Sequence, residues 1–279
     1  MSAVRGKVCA VTGAGSGIGR ALAVELSRRG ARVAISDLDQ GALEETVRLL
    51  GDAEVNAQPL DVTDRDAVQT YADTVARHFG VVHQVYNNAG IAFRRSVLES
   101  EYADYERVFA VNLWGVMHGT KAFLPHVIAS GDGHVVNVSS LNGCLAQPDM
   151  THYCTTKFAV RGFTESLRAE MLAARHPVQV SVVHPGGVRT NIADAALKKA
   201  KELGLPVTDD DERRHKLYTK RLLRMDPAQA ARIIVGGVEA GRPRILVGND
   251  ARLLDGVVRL LPARYLRFVA AVERRAAAL

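Results

Sequence analysis

Tyr153 and Lys157 stand four residues apart, and Ser140 lies thirteen positions before the tyrosine. Together these types could hold a carbonyl or alcohol oxygen and move its proton. Four residues of α-helix rise about 6 Å and make little more than one turn, so a phenol and an ammonium at that spacing project from one face. A free phenol, with a pKa near 10, is a poor proton exchanger at neutral pH. A cation beside it favours the phenolate and brings it into range. By itself the pair also reads as an ordinary surface pair on a helix, so the elements around it must decide.

Short β-branched runs alternate with longer helical patterns. Strand-like segments are expected at Val8–Val11, Arg32–Ile35, Glu54–Pro59, Val81–Val85, His134–Val138, Gln179–Val183 and Arg244–Val247. Between them lie helical stretches at Gly17–Arg29, Gln40–Leu50, Asp64–Phe79, Tyr102–Ala129, the segment bearing Tyr153 and Lys157, and Ala228–Glu239. This rhythm predicts an α/β fold of one domain over residues 1–279, a doubly wound parallel sheet with right-handed crossovers and a ligand at the carboxyl ends of the strands. Two segments depart from it. Residues 191–225 lack a strand pattern and carry a run of charges, Asp209-Asp210-Asp211-Glu212 beside Arg213-Arg214, which predicts a mobile helical insertion over the site. The tail, about 249–279, is amphipathic and basic; packing on the parent domain or a neighbouring subunit is expected to outweigh membrane attachment.

At the other end of the chain, Thr12-Gly13-Ala14-Gly15-Ser16-Gly17-Ile18-Gly19 follows the first strand and opens the first helix. Glycines allow a tight turn there while helix N–H groups face an anion. The spacing is Thr-Gly-x-x-x-Gly-x-Gly rather than Gly-x-Gly-x-x-Gly. Asp37 ends the second strand about 20 residues after the glycine turn, where a carboxylate can accept from an adenosine ribose and would repel a 2′-phosphate. The loop holds no Lys or Arg and Leu38 follows Asp37, so NAD is favoured over NADP. Asp37 could alternatively cap the helix beginning near Asp39.

With both ends in view, the chain resembles the short-chain dehydrogenase/reductase family over nearly its whole length. The resemblance rests on the glycine loop, Asp61-Val62, Asn87-Asn88-Ala89-Gly90, Asn112, Ser139-Ser140, Tyr153-x-x-x-Lys157 and Pro185-Gly186-Gly187-Val188-x-Thr190. It implies a Rossmann-type domain with a seven-stranded sheet and hydride transfer between nicotinamide and a carbonyl or alcohol. It also implies a catalytic set of Asn112, Ser140, Tyr153 and Lys157. Tyr153 would be the general acid or base, Ser140 would hold the substrate oxygen, and Ser139 is its rival. Lys157 would serve both the phenol and the nicotinamide ribose, and Asn112 would anchor a water joining Lys157 to solvent. The cofactor would lie against Gly13, Ser16, Gly17, Ile18, Gly19, Asp37, Leu38, Asp61, Val62, Asn88, Ala89, Gly90, Tyr153, Lys157, Pro185, Gly186, Val188 and Thr190. Asn142 would join Ser140 and Tyr153 around the substrate, with Phe93, Leu141, Leu145 and Met150 as pocket borders. Their mostly apolar character suggests a lipophilic or aromatic secondary alcohol or ketone. Cys154, Thr155 and Thr156 fill positions where the family usually has small residues such as Ser or Ala, and they are compact enough to be compatible. Homodimers or homotetramers through the two long helices are implied, with no choice between them.

Composition narrows the alternatives. With 47% hydrophobic and 24% charged residues the chain is ordinary globular material, and a net charge of +6 spread along the sequence argues against nucleic acid as a partner. Cys9, Cys144 and Cys154 cannot all pair, which points to a reducing interior; a polar N-terminus without a signal-peptide pattern makes the cytoplasm the expected compartment. No residue cluster is read as a metal site. A NADP-dependent ketone reductase, a nucleotide-sensing scaffold without turnover and a peripheral membrane enzyme acting on lipids remain as rivals.

Overall fold

A computed structural model describes residues 2–202, 204, 213, 219 and 223–277. Seven parallel strands form one sheet in the order β3-β2-β1-β4-β5-β6-β7. They are β1 (Val8–Thr12), β2 (Arg32–Asp37), β3 (Val55–Pro59), β4 (Gln84–Asn87), β5 (Gly133–Val138), β6 (Val178–Pro185) and β7 (Arg244–Val247). The order reverses between β1 and β4, and that switch opens a crevice at the strands' carboxyl ends.

Helices cover both faces: α1 (Gly17–Arg28), α2 (Gln40–Leu50), α3 (Arg65–Phe79), α4 (Tyr102–Phe109), α5 (Gly115–Ala129), α6 (Thr151–Ala173), α7 (Ile192–Glu202), α8 (Pro227–Glu239), α9 (Asn249–Leu260) and α10 (Tyr265–Ala277). All five residues of β1 are buried, because successive side chains enter opposite cores. Cys9 and Val11 pack with Leu22, Leu26, Ile234 and Val238 of α1 and α8. Val8 and Ala10 pack with Tyr71, Val75, Phe123 and Val127 of α3 and α5. This is the doubly wound fold that the alternating runs predict.

Two elements depart most from expectation. The fourth strand begins at Gln84 rather than Val81, since pairing with β1 and β5 begins only there. Gln84 is polar but buried, satisfied by Ser2, the Ala3 carbonyl and the Tyr86 hydroxyl. Val81-Val82 mimics a strand because Val82 is core in the preceding loop. The expected long helix 102–129 is interrupted by a π-helical turn, Ala110–Trp114, which carries Asn112 inward. About half of the 191–225 insertion lies outside the described residues; α7 covers its start, and Val188 and Met225 bridge its base.

Candidate active site

The glycine loop lies at the switch point. Gly13 and Gly17 have positive φ, and a Cβ on Gly19 would stand 1.9 Å from the Gly13 carbonyl oxygen. Only glycine lets α1 start this close to β1. Ser16 precedes α1 without a side-chain cap and no acid occupies the first turn, so the leading N–H groups remain available to an anion. Thr190 reaches the same point, because a Cβ on Gly17 would meet its side chain at 3.1 Å.

Asp37 closes the loop from β2. Its Oδ2 accepts from Gly15 N–H at 2.7 Å and its Oδ1 from Asp39 N–H at 3.0 Å. Asp39, not Asp37, caps α2 by accepting from Ala42. Leu38 beside it is exposed. Arg20, one residue beyond the glycine motif, is spent on Glu45 at 2.8 Å, Thr46 Oγ1, the Ala42 carbonyl and the Gly15 carbonyl. Gly15 is therefore clamped at both its N–H and its carbonyl, and the arginine's contribution could not be read from the motif.

Opposite, Asn88 Nδ2 donates to the Thr12 and Gly13 carbonyls, and the N–H groups of Asn88 and Ala89 donate to Thr12 Oγ1. The Asn88 side chain thus holds the loop's shape. Asp61 accepts from Thr63, and the Val62 carbonyl contacts His118 Nδ1. Ile18 and Val188 pack into the core. Met225 fixes the 185–190 turn by donating its N–H to the Gly187 carbonyl and accepting from Arg189. Asp250 accepts from Gly187 N–H at 2.7 Å, and a Cβ on Gly186 would collide with its carboxylate. Asp250 and Met225 are absent from the sequence motifs; the close approach allowed by Gly186 was the only clue.

The proton-handling residues come from three elements. Lys157 is buried, with Nζ donating to the Val138 carbonyl at 3.2 Å and lying 5.6 Å from the Tyr153 ring centre. Burial pulls its pKa down from 10.5 to about 8. A Cβ on Gly90 would meet Lys157 Nζ at 3.5 Å and Asn112 Oδ1 at 3.2 Å, so these three share one corner. Asn112 Oδ1 accepts from Ile91 N–H, and its Nδ2 donates to the Ile91 carbonyl and to Thr156. Its side chain clamps the chain after Gly90.

Ser139 and Ser140 are separated by their partners. Ser139 Oγ donates to the Lys157 carbonyl at 2.7 Å and is buried, whereas Ser140 Oγ lies at the head of the following turn, accepting from Asn142 N–H at 3.1 Å. Beneath it, His184 Nδ1 contacts the Ser140 carbonyl at 2.8 Å, and burial lowers the His184 pKa to about 4. The histidine is neutral at pH 7 and donates. The Asn142 amide nitrogen donates to Cys154 Sγ on α6 at 3.4 Å. Phe93, Leu141 and Leu145 are buried core residues, and Met150 is half-buried. The three cysteines are unpaired and buried.

A family model for short-chain dehydrogenases matches residues 7–201. The chain belongs to the short-chain dehydrogenase family. It is 52% identical over 274 residues to the Mycobacterium tuberculosis protein SadH, named as an oxidoreductase, covering 97% of this chain and 96% of that one. It is 36% identical over 212 residues to mouse epidermal retinol dehydrogenase 2, over 75% of this chain and 68% of the relative. A Burkholderia phymatum short-chain dehydrogenase/reductase solved with NAD superposes with a TM-score of 0.86 at 32% identity, covering 94% of this chain and 95% of its own. This short-chain dehydrogenase is thus an oxidoreductase with a nicotinamide-dinucleotide fold, and its glycine loop, uncapped α1 and Asp37 fit such a cofactor.

Proposed function

We propose that the protein catalyses reversible NAD-linked oxidation of a lipophilic or aromatic secondary alcohol to its ketone. The observation that carries this reading is the Lys157 ammonium, buried beside the Tyr153 ring and backed by Gly90 and Asn112. Nicotinamide, when bound, accepts hydride from the carbinol carbon in oxidation and returns it in reduction. Tyr153 takes the hydroxyl proton in one direction and gives it back in the other. Ser140 orients the oxygen, while Lys157 supports the phenolate and holds the ribose hydroxyls. Asn112 sets the corner in which Lys157 sits.

The preference for NAD rests on Asp37, fixed by two backbone N–H groups, and on Arg20, whose guanidinium is engaged by Glu45, Thr46 and two carbonyls. Tyr102, Trp114 and Phe158 are exposed on α4–α6, which supports assembly of two or four copies through those helices. A panel of secondary alcohols offered with NAD and NADP side by side tests the proposal. Turnover with NAD that disappears in Tyr153→Phe supports it, whereas equal turnover by the variant rejects the tyrosine's role.

A further inference from the structure

The C-terminal helix pair separates its charges. Three acids and six arginines lie between residues 249 and 279. All three acids turn to the body of the protein: Asp250 accepts from Gly187 N–H, Asp255 pairs with Arg244 and Arg259, and Glu273 pairs with Arg94. Arg252, Arg264, Arg267 and Arg274 are exposed, and no carboxylate of the described residues pairs with them. Next to them stand exposed apolar side chains: Leu260 and Leu261 at the junction of α9 and α10, and Phe268 and Val272, one helical turn apart on α10. Leu260 is 82% exposed and Phe268 61%.

We propose that α10 and its junction with α9 dock on an anionic phospholipid bilayer surface. A helix with a bulky apolar edge beside an arginine stripe places the edge among acyl chains and the cations at the headgroups. No helix among the described residues is long and apolar enough to cross a membrane, so the contact lies in the interface. A second copy fits this face less well, because a two-fold contact would set the arginine stripe against itself. The stripe also adjoins the catalytic region. Tyr265 accepts from Ala146 N–H at 3.3 Å, and Arg94 joins Glu273 on α10 to Asp149, shortly before Tyr153. Docking there would open the pocket toward a lipophilic alcohol dissolved in the bilayer. That consequence rests on the proposed reaction; the docking does not.

Flotation of the full-length protein with phosphatidylcholine vesicles, with and without phosphatidylglycerol, tests the docking. Binding is expected only with phosphatidylglycerol, falling as salt is raised. Each surface arginine contributes roughly fivefold to partitioning, so R264E/R267E/R274E, which reverses three charges, should lower it by at least about a hundredfold. Phe268→Ser should lower it about tenfold. Both changes lie on the surface, and unchanged circular dichroism and melting temperature would show that the fold is intact. Should a variant not fold, the salt and lipid dependence of the wild type still decides. The proposal is overturned if the wild type stays with the lipid-free fraction. It is also overturned if binding ignores phosphatidylglycerol and the triple reversal, or if sedimentation shows a dimer that Phe268→Ser breaks while vesicles are not bound. Loss of turnover with docking intact would count against the catalytic reading alone.

Discussion

The nucleotide side and the proton-handling side of this crevice are built on different principles. Around the glycine loop, backbone meets backbone: Gly19 against the Gly13 carbonyl, Asp37 and Asn88 bonded to main chain. Around Tyr153, buried side chains carry the arrangement, and one of them, Lys157, is held as a charge where burial disfavours it. A shape that depends on missing Cβ atoms tolerates no added methyl. A chemistry that depends on a buried cation is achieved at a cost to stability.

The largest test of the contrast is Tyr153→Phe. If the phenol is the acid and base, kcat falls by about 10²–10⁴-fold while NAD affinity, measured by fluorescence quenching, stays within a factor of a few. A parallel loss of NAD binding would show that the two sides are not separable at this residue.

Lys157→Met should abolish turnover and weaken NAD binding, yet leave the cofactor-free protein unchanged or more stable by up to about 3 kcal/mol in urea denaturation at pH 7. The sign follows from the depressed pKa. Below pH 8 the lysine is protonated in both states and its burial costs the folded one. Between pH 8 and 10.5 the unfolded chain still holds a proton that the folded protein has released, so wild-type stability gains from this residue as pH rises. The variant should lack that gain; a pH profile parallel to wild type would mean that the charge is not buried in solution.

On the opposite side, Gly19→Ala should cost about 1–3 kcal/mol and reduce NAD affinity, since its methyl would enter the space of the Gly13 carbonyl. The smallest effect expected is from Tyr265→Phe, which removes an acceptor for Ala146 N–H and should cost about 1 kcal/mol or less. It should raise KM for the alcohol without changing that for NAD. A change confined to NAD would place α10 with the wrong side of the crevice.

The two sides also differ in how far they could be read in advance. The loop, Asp37 and the Tyr-x-x-x-Lys spacing are local, because a turn, a strand end and one helical turn each fix neighbouring positions through bond geometry. Distant pairings were hidden. Arg20 is an unremarkable helix residue until Glu45 and Thr46 come to it from α2. The contact of the Asn142 amide nitrogen with Cys154 joins positions that no local motif connects. Ser139 and Ser140 differ in the sequence only by their spacing to Tyr153, whereas in the fold the Lys157 carbonyl on α6 takes the Ser139 hydroxyl. About half of the insertion expected over 191–225 lies outside the described residues.

By itself the sequence determined the alternation of strands and helices, hence the parallel sheet with its crevice, and the order of residue types along it. Periodicity and short spacings suffice for that, because they are set by the covalent chain. Only the tertiary structure decided which polar groups are consumed within the protein, how deeply Lys157 is buried, and which arginines of the tail pair with no carboxylate among the described residues. Those depend on what distant segments bring to each group, and on the water that their packing removes.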